Sequence, residues 1–117
     1  MQDHRQLRVW RKSHIHVLRV RKTTDSFPNG YSNLKKQLGK SVESIAFNIV
    51  EGAAASSGRE FARFLEISIK SSRESEYQLL LAKDYGIIAV DRWSKLDRKN
   101  RDIRKMLCGL RARLLNP

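Results

Sequence analysis

The chain has 117 residues, of which 40% are hydrophobic and 31% charged, a balance typical of one soluble domain with a single core. No apolar run approaches the ~18 residues of a membrane span, and a single cysteine, Cys108, excludes an intrachain disulfide and fits a reducing cytoplasm. The net charge of +12 makes a polyanionic partner the leading interpretation.

Apolar residues recur at spacings of three and four along the whole chain, which predicts helices rather than strands. The first helix closes at a turn marked by Pro28 and Gly30. The third begins at Ser57, because Ser57 and Glu60 form a Ser-x-x-Glu capping box before an apolar run. Gly52 lies near the end of the second helix, where positive φ or a close approach favours glycine. The predicted helices cover residues of about 3–25, 31–54, 58–84 and 91–115.

Four helices of this length joined by short corners run antiparallel to their neighbours, so the sequence predicts an all-α, up-down-up-down four-helix bundle in a single domain, 1–117. In this arrangement the first and fourth helices are neighbours. Residues 1–25 carry seven basic and two acidic side chains, and residues 91–117 carry nine and three. Residues 26–90 are nearly neutral, with eight and seven. The first and fourth helices should therefore form one positive wall.

This positive wall predicts a surface that binds the backbone of RNA or DNA without reading its sequence. The alternative is an assembly protein, whose charge steers it to an acidic protein partner and which has no direct nucleic-acid function. A solvated basic surface without a ligand is the remaining interpretation. The predicted phosphate contacts are Arg8, Arg11, Lys12, Arg19, Lys22, Arg98, Lys99, Arg101, Arg104, Lys105 and Arg111.

Polar residues on the apolar faces of the middle helices raise the question of catalysis. Asn48 and Glu51 share a helical face, but no histidine, metal-ligand cluster or activated nucleophile accompanies them. His14 and His16 are two positions apart, so their rings diverge on a helix and do not form a metal site. We expect no enzyme activity, no cofactor and no small-molecule substrate. A structural polar network is predicted instead, formed by Asn48, Glu51, Ser71, Glu74 and Gln78.

The run Asn48-Ile49-Val50-Glu51-Gly52 resembles the Asn-Ile-Ala-Glu-Gly signature of the bacterial proteins encoded in intervening sequences of 23S rRNA genes. Further short matches follow in order over residues 7–86, while His16 stands where leucine is common in the family. The resemblance implies a four-helix protomer that assembles into a five-membered ring. It also implies relatives among the accessory proteins of diversity-generating retroelements, and hence a reverse transcriptase as partner.

Apolar residues off the predicted seams point to the same assembly. A monomer would expose a part of them, which favours burial between subunits of a homo-oligomer, whereas a wider core stripe is the alternative. These residues are Val9, Ile15, Leu18, Ile67, Ile69, Leu80, Ile87, Ile88 and Val90.

Overall fold

The computed structural model describes residues 2–117 and confirms the predicted fold class. Its long helices are α1 (Arg8–Thr24), α2 (Ser32–Ala53), α3 (Gly58–Asp84) and α4 (Val90–Leu115), and no strand occurs within residues 2–117. The helix α1 lies beside α2 and α4, and α3 lies beside the same two, whereas the backbones of the diagonal pairs within residues 2–117 are farther apart. This is an antiparallel up-down-up-down bundle, with α1 and α4 side by side.

The first helix begins at Arg8 rather than near residue 3. The Asp3 carboxylate accepts a hydrogen bond from the Arg5 N–H and caps a separate 3-10 turn, His4–Gln6. Leu7 is extended and separates this turn from α1. The Gln2 N–H donates to the Ala53 carbonyl at 2.8 Å, so the start of the chain is tied to the end of α2.

The corner between α2 and α3 is built on a close approach at Gly52. A Cβ atom at this position would lie 2.7 Å from Cδ1 of Phe61 and 3.0 Å from Cβ of Phe64. Among residues 2–117 only Gly86 has positive φ, so close approach, not backbone conformation, requires the glycine at position 52. Ser57 accepts from the Glu60 N–H at 3.1 Å, but the reciprocal bond of a capping box is absent.

The core consists of two apolar clusters separated by a layer of buried polar residues. One cluster contains Val9, Ile45, Ile49, Ala53, Ala55, Phe61, Leu65, Ile103 and Leu107. The other contains Val20, Phe27, Leu38, Val42, Leu79, Ala82, Ile88 and Leu96. Between them lies what we call the central polar layer, formed by Ser13, His16, Ser68, Ser72, Ser75 and Asn100.

Asn100 is the hub of the central polar layer. Its Nδ2 donates to the Ser72 carbonyl at 2.7 Å, which orients the amide, because a carbonyl can only accept. Its Oδ1 therefore accepts from the Ser75 hydroxyl at 3.0 Å and from His16 Nε2 at 3.1 Å. Nδ1 of His16 then carries the lone pair, and it is buried without a hydrogen-bond partner. Burial lowers the pKa of His16 to about 4, so α1, α3 and α4 meet around a neutral imidazole.

Candidate functional site

The most open seam of the bundle lies between α1 and α4, which are in looser contact than the other neighbouring helices. Three pockets follow this seam. Two of them have Lys12 and Asp102 in their linings in common and are continuous. The third is lined by Lys22, which lies about one helical turn beyond Arg19 on α1. We call these three pockets together the α1–α4 groove.

The α1–α4 groove is lined by cations that the protein itself does not neutralise. Among the residues that the structure describes, Asp102 is the only carboxylate in its lining. Within residues 2–117, none of the groove cations forms an ion pair with a carboxylate within 4.0 Å. These cations are Arg8, Lys12, Arg19, Lys22, Arg92, Lys99, Lys105 and Arg113.

Three of the predicted phosphate contacts lie outside the groove and are paired with carboxylates. Nη2 of Arg104 lies 2.6 Å from Oε1 of Glu76 on α3, and the Arg104 side chain is only 15% exposed. Arg111 lies 3.8 Å from Glu66, also on α3, and Arg101 lies 3.0 Å from Asp97 on its own helix. The charge count of a segment does not distinguish the side of α4 that faces α1 from the side that faces α3.

The other predicted contacts divide between the groove and the open surface. Arg98 and Arg11 are exposed outside the groove lining, and Arg11 donates to the Arg5 carbonyl at 3.1 Å. Sequence reasoning missed Arg92 and Arg113, although they stand seven and eight residues from groove residues of α4 and so share their face. The predicted contacts inside the groove are Arg8, Lys12, Arg19, Lys22, Lys99 and Lys105.

The predicted polar network around Asn48 is divided into separate links. Asn48 donates to the Ser44 carbonyl at 2.8 Å, and the Ser44 hydroxyl meets that of Ser71 at 2.8 Å. Further along, the Ser41 hydroxyl donates to Oε1 of Gln78 at 2.6 Å. Both links join α2 to α3 and start from Ser41 and Ser44 of α2, two serines that were not among the predicted members of the network. The two predicted carboxylates, Glu51 and Glu74, are exposed and take no part, because their helical positions turn them to solvent.

The apolar residues expected between subunits are also divided. Val9 and Ile88 belong to the core. Ile15 is 45% exposed and lines the α1–α4 groove, whereas Leu18 is 56% exposed and lines a pocket between α1 and α2. Phe47, which the sequence analysis did not name, is 66% exposed.

Within residues 2–117, no three histidine, cysteine, aspartate or glutamate side chains come together as a metal-binding group. Among the helices of these residues, none combines the length and the apolar character that crossing a bilayer requires.

The four antiparallel helices place the chain among the small four-helix-bundle proteins. The model of the 23S rRNA-intervening sequence protein family matches residues 5–109, and the chain belongs to this family. No curated protein matches this chain.

A crystal structure of a protein from Bacteroides thetaiotaomicron, described as of unknown function and from the S23 ribosomal protein family, is similar in sequence and fold. The two chains share 26% identity over 87% of this chain and 96% of the other, with a TM-score of 0.77. The predicted family is thus confirmed, while none of these matches supports the link to diversity-generating retroelements.

Proposed function

We propose that the protein is a non-enzymatic module that binds the phosphate backbone of nucleic acid in the α1–α4 groove. The observation that carries the proposal is that no carboxylate of residues 2–117 pairs with a groove cation, whereas Arg101, Arg104 and Arg111 elsewhere on α4 are paired. Unpaired cations in a cleft attract a polyanion, and phosphates that they neutralise release counterions.

The arrangement of charge favours a ligand over a merely solvated surface. Like charges that lie close together along one helix or across two neighbouring helices repel each other. This repulsion lowers the free energy of unfolding of the free protein. The carboxylates of α3 relieve such repulsion on one side of α4, at Glu66 and Glu76. In the groove only Asp102 is available, so a bound polyanion would supply the missing negative charge.

The proposal predicts binding that depends strongly on salt. Mixed-sequence RNA or DNA, followed by fluorescence anisotropy, should lose about 10² in affinity between about 50 and 200 mM salt if roughly four phosphates are contacted. The variant with Lys99→Glu and Lys105→Glu should bind much more weakly than the wild type. The matched control carries Lys70→Glu and Arg73→Glu, two exposed cations of α3 outside the groove. Equal losses in both variants, or no binding at low salt, would contradict the proposal.

Asp102 offers a test in the opposite direction. Asp102→Asn removes a carboxylate from the groove lining and should tighten binding several-fold, because a like charge no longer faces the phosphates. Glu74→Gln, which neutralises an exposed carboxylate on α3, should leave the affinity unchanged. A weaker Asp102→Asn variant would place the phosphates elsewhere on the surface.

Partners other than nucleic acid stay predictions, the reverse transcriptase from the family resemblance and the acidic protein from the positive charge. A reverse transcriptase would have to bind a surface other than an occupied groove, and an acidic protein in the groove would compete with nucleic acid.

The homo-oligomeric ring, with five subunits by resemblance, is tested by light scattering coupled to size exclusion. A mass of 13.6 kDa across micromolar concentrations would contradict the ring.

A further inference from the structure

We infer that the groove ligand is a single strand rather than a duplex. This inference rests on the proposed function and names the form of nucleic acid that the groove accepts. It follows from two features of the groove, which are its straight double row of cations and its apolar floor.

The groove cations face each other across the seam. Because α1 and α4 are antiparallel, the start of α1 lies beside the end of α4, and the cations stand in four successive pairs along the groove. The first and last pairs are 14 residues apart on α1, a length of about 21 Å at 1.5 Å per residue. The pairs are Arg8 with Arg113, Lys12 with Lys105, Arg19 with Lys99, and Lys22 with Arg92.

A duplex cannot place one of its backbones along this row. Each strand of B-form DNA winds around the axis once in about 34 Å, so a backbone laid along the groove curves continuously away from a straight row of about 21 Å. It would leave a straight groove after one or two cation pairs. A single strand has no such constraint and can pass between all four pairs, with its phosphates neutralised from both sides.

The floor of the groove is apolar. Ile15, which is 45% exposed, stands between Lys12 and Arg19, and Met106 and Leu110 are half-buried in the adjoining pocket. A duplex keeps its bases stacked inside and would leave this floor in water. The unpaired bases and the sugars of a single strand can cover it, so Ile15 gains burial only with a single-stranded ligand.

The test compares a mixed-sequence oligonucleotide, long enough to span the groove, with the duplex of the same sequence. Fluorescence anisotropy at constant low salt should show at least about tenfold tighter binding of the single strand, as DNA or as RNA. With four phosphates held, the logarithm of its affinity should fall with a slope of about −3 against the logarithm of the salt concentration. Equal or tighter binding of the duplex would overturn the inference and leave the proposed function standing. Failure of both forms to bind would refute the proposed function itself.

A matched pair of variants tests the apolar floor. Ile15→Ala should weaken single-strand binding several-fold and leave any duplex binding unchanged. Leu18→Ala removes another exposed aliphatic side chain from α1, but on the flank that faces α2, and should change neither single-strand nor duplex binding. Both sites are exposed, so the fold should be retained, which circular dichroism would verify. Equal effects of the two substitutions would overturn the assignment of Ile15 to the binding surface.

Discussion

The buried imidazole of His16 predicts that the bundle loses stability in mild acid. Its Nε2 donates to Asn100 and its Nδ1 has no partner, so the folded protein accommodates only the neutral ring. Burial is the main cause of the lowered pKa, which the hydrogen bond to Asn100 opposes, and the charges of Arg19 and Lys99 lower it further. Asp102 lies in the same pocket as His16, together with Lys12.

The size and sign of the effect follow from the two pKa values of His16. The pKa is about 4 in the folded protein and 6.5, the ordinary value, in the unfolded chain. Between these values only the unfolded chain binds the proton, so the free energy of unfolding falls as the pH falls. The contribution is fully present above pH 6.5 and is lost as the pH falls through about 4. The complete loss corresponds to about 3 kcal/mol, of which about 2 kcal/mol is lost by about pH 5.

The assay is urea unfolding followed by circular dichroism between about pH 8 and about pH 5. Paired carboxylates also contribute to acid sensitivity, so the informative quantity is the difference between the wild type and His16→Leu. This variant should lose about 2 kcal/mol less than the wild type over that range. His14→Gln, which changes an exposed imidazole on the same helix, should behave as the wild type does. Parallel pH profiles of wild type and His16→Leu would refute the reasoning.

Three further predictions concern packing and pairing. Gly52→Ala should lower the free energy of unfolding by about 1–3 kcal/mol, because the added methyl group clashes with α3. Gly39→Ala, where the added methyl group has no neighbour within 4 Å, should raise the free energy of unfolding by about 0.5–1 kcal/mol. If chemical denaturation ranked the two variants the other way, the close approach at Gly52 would be excluded. Arg104→Ala should lower the free energy of unfolding by about 1–3 kcal/mol, because it removes the partner of Glu76. If the two side chains act as a pair, adding Glu76→Gln to this variant should lower it little further, which a double-mutant cycle measures. Asn48→Ala should cost about 0.5–1.5 kcal/mol in thermal melts without loss of nucleic-acid binding, and normal stability with lost binding would place Asn48 in a functional site.

The sequence predicted the fold class because its signals are local. Spacings of three and four define each helix within a few residues of its neighbours, and Ser57 marks the start of α3 by a bond to Glu60, three positions away. Short corners then leave an antiparallel order as the compact solution, which places α1 beside α4. The sequence predicted a start of α1 near residue 3 and not at Arg8, because Asp3 and the residues after it would also suit the first turn of a longer helix.

The sequence alone also determined that positive charge gathers on the first and last helices, since this is a count along the chain. Only the tertiary structure decided which cations share a groove, because the rotation of α4 turns Lys99 toward α1 and Arg104 toward Glu76 of α3. The bond between His16 and Asn100 joins residues 84 positions apart, so no pattern along a single helix predicts it. Such contacts depend on how the four helices are rotated and aligned against one another. Helical periodicity repeats along each helix separately, so it does not predict how one helix is aligned with the next.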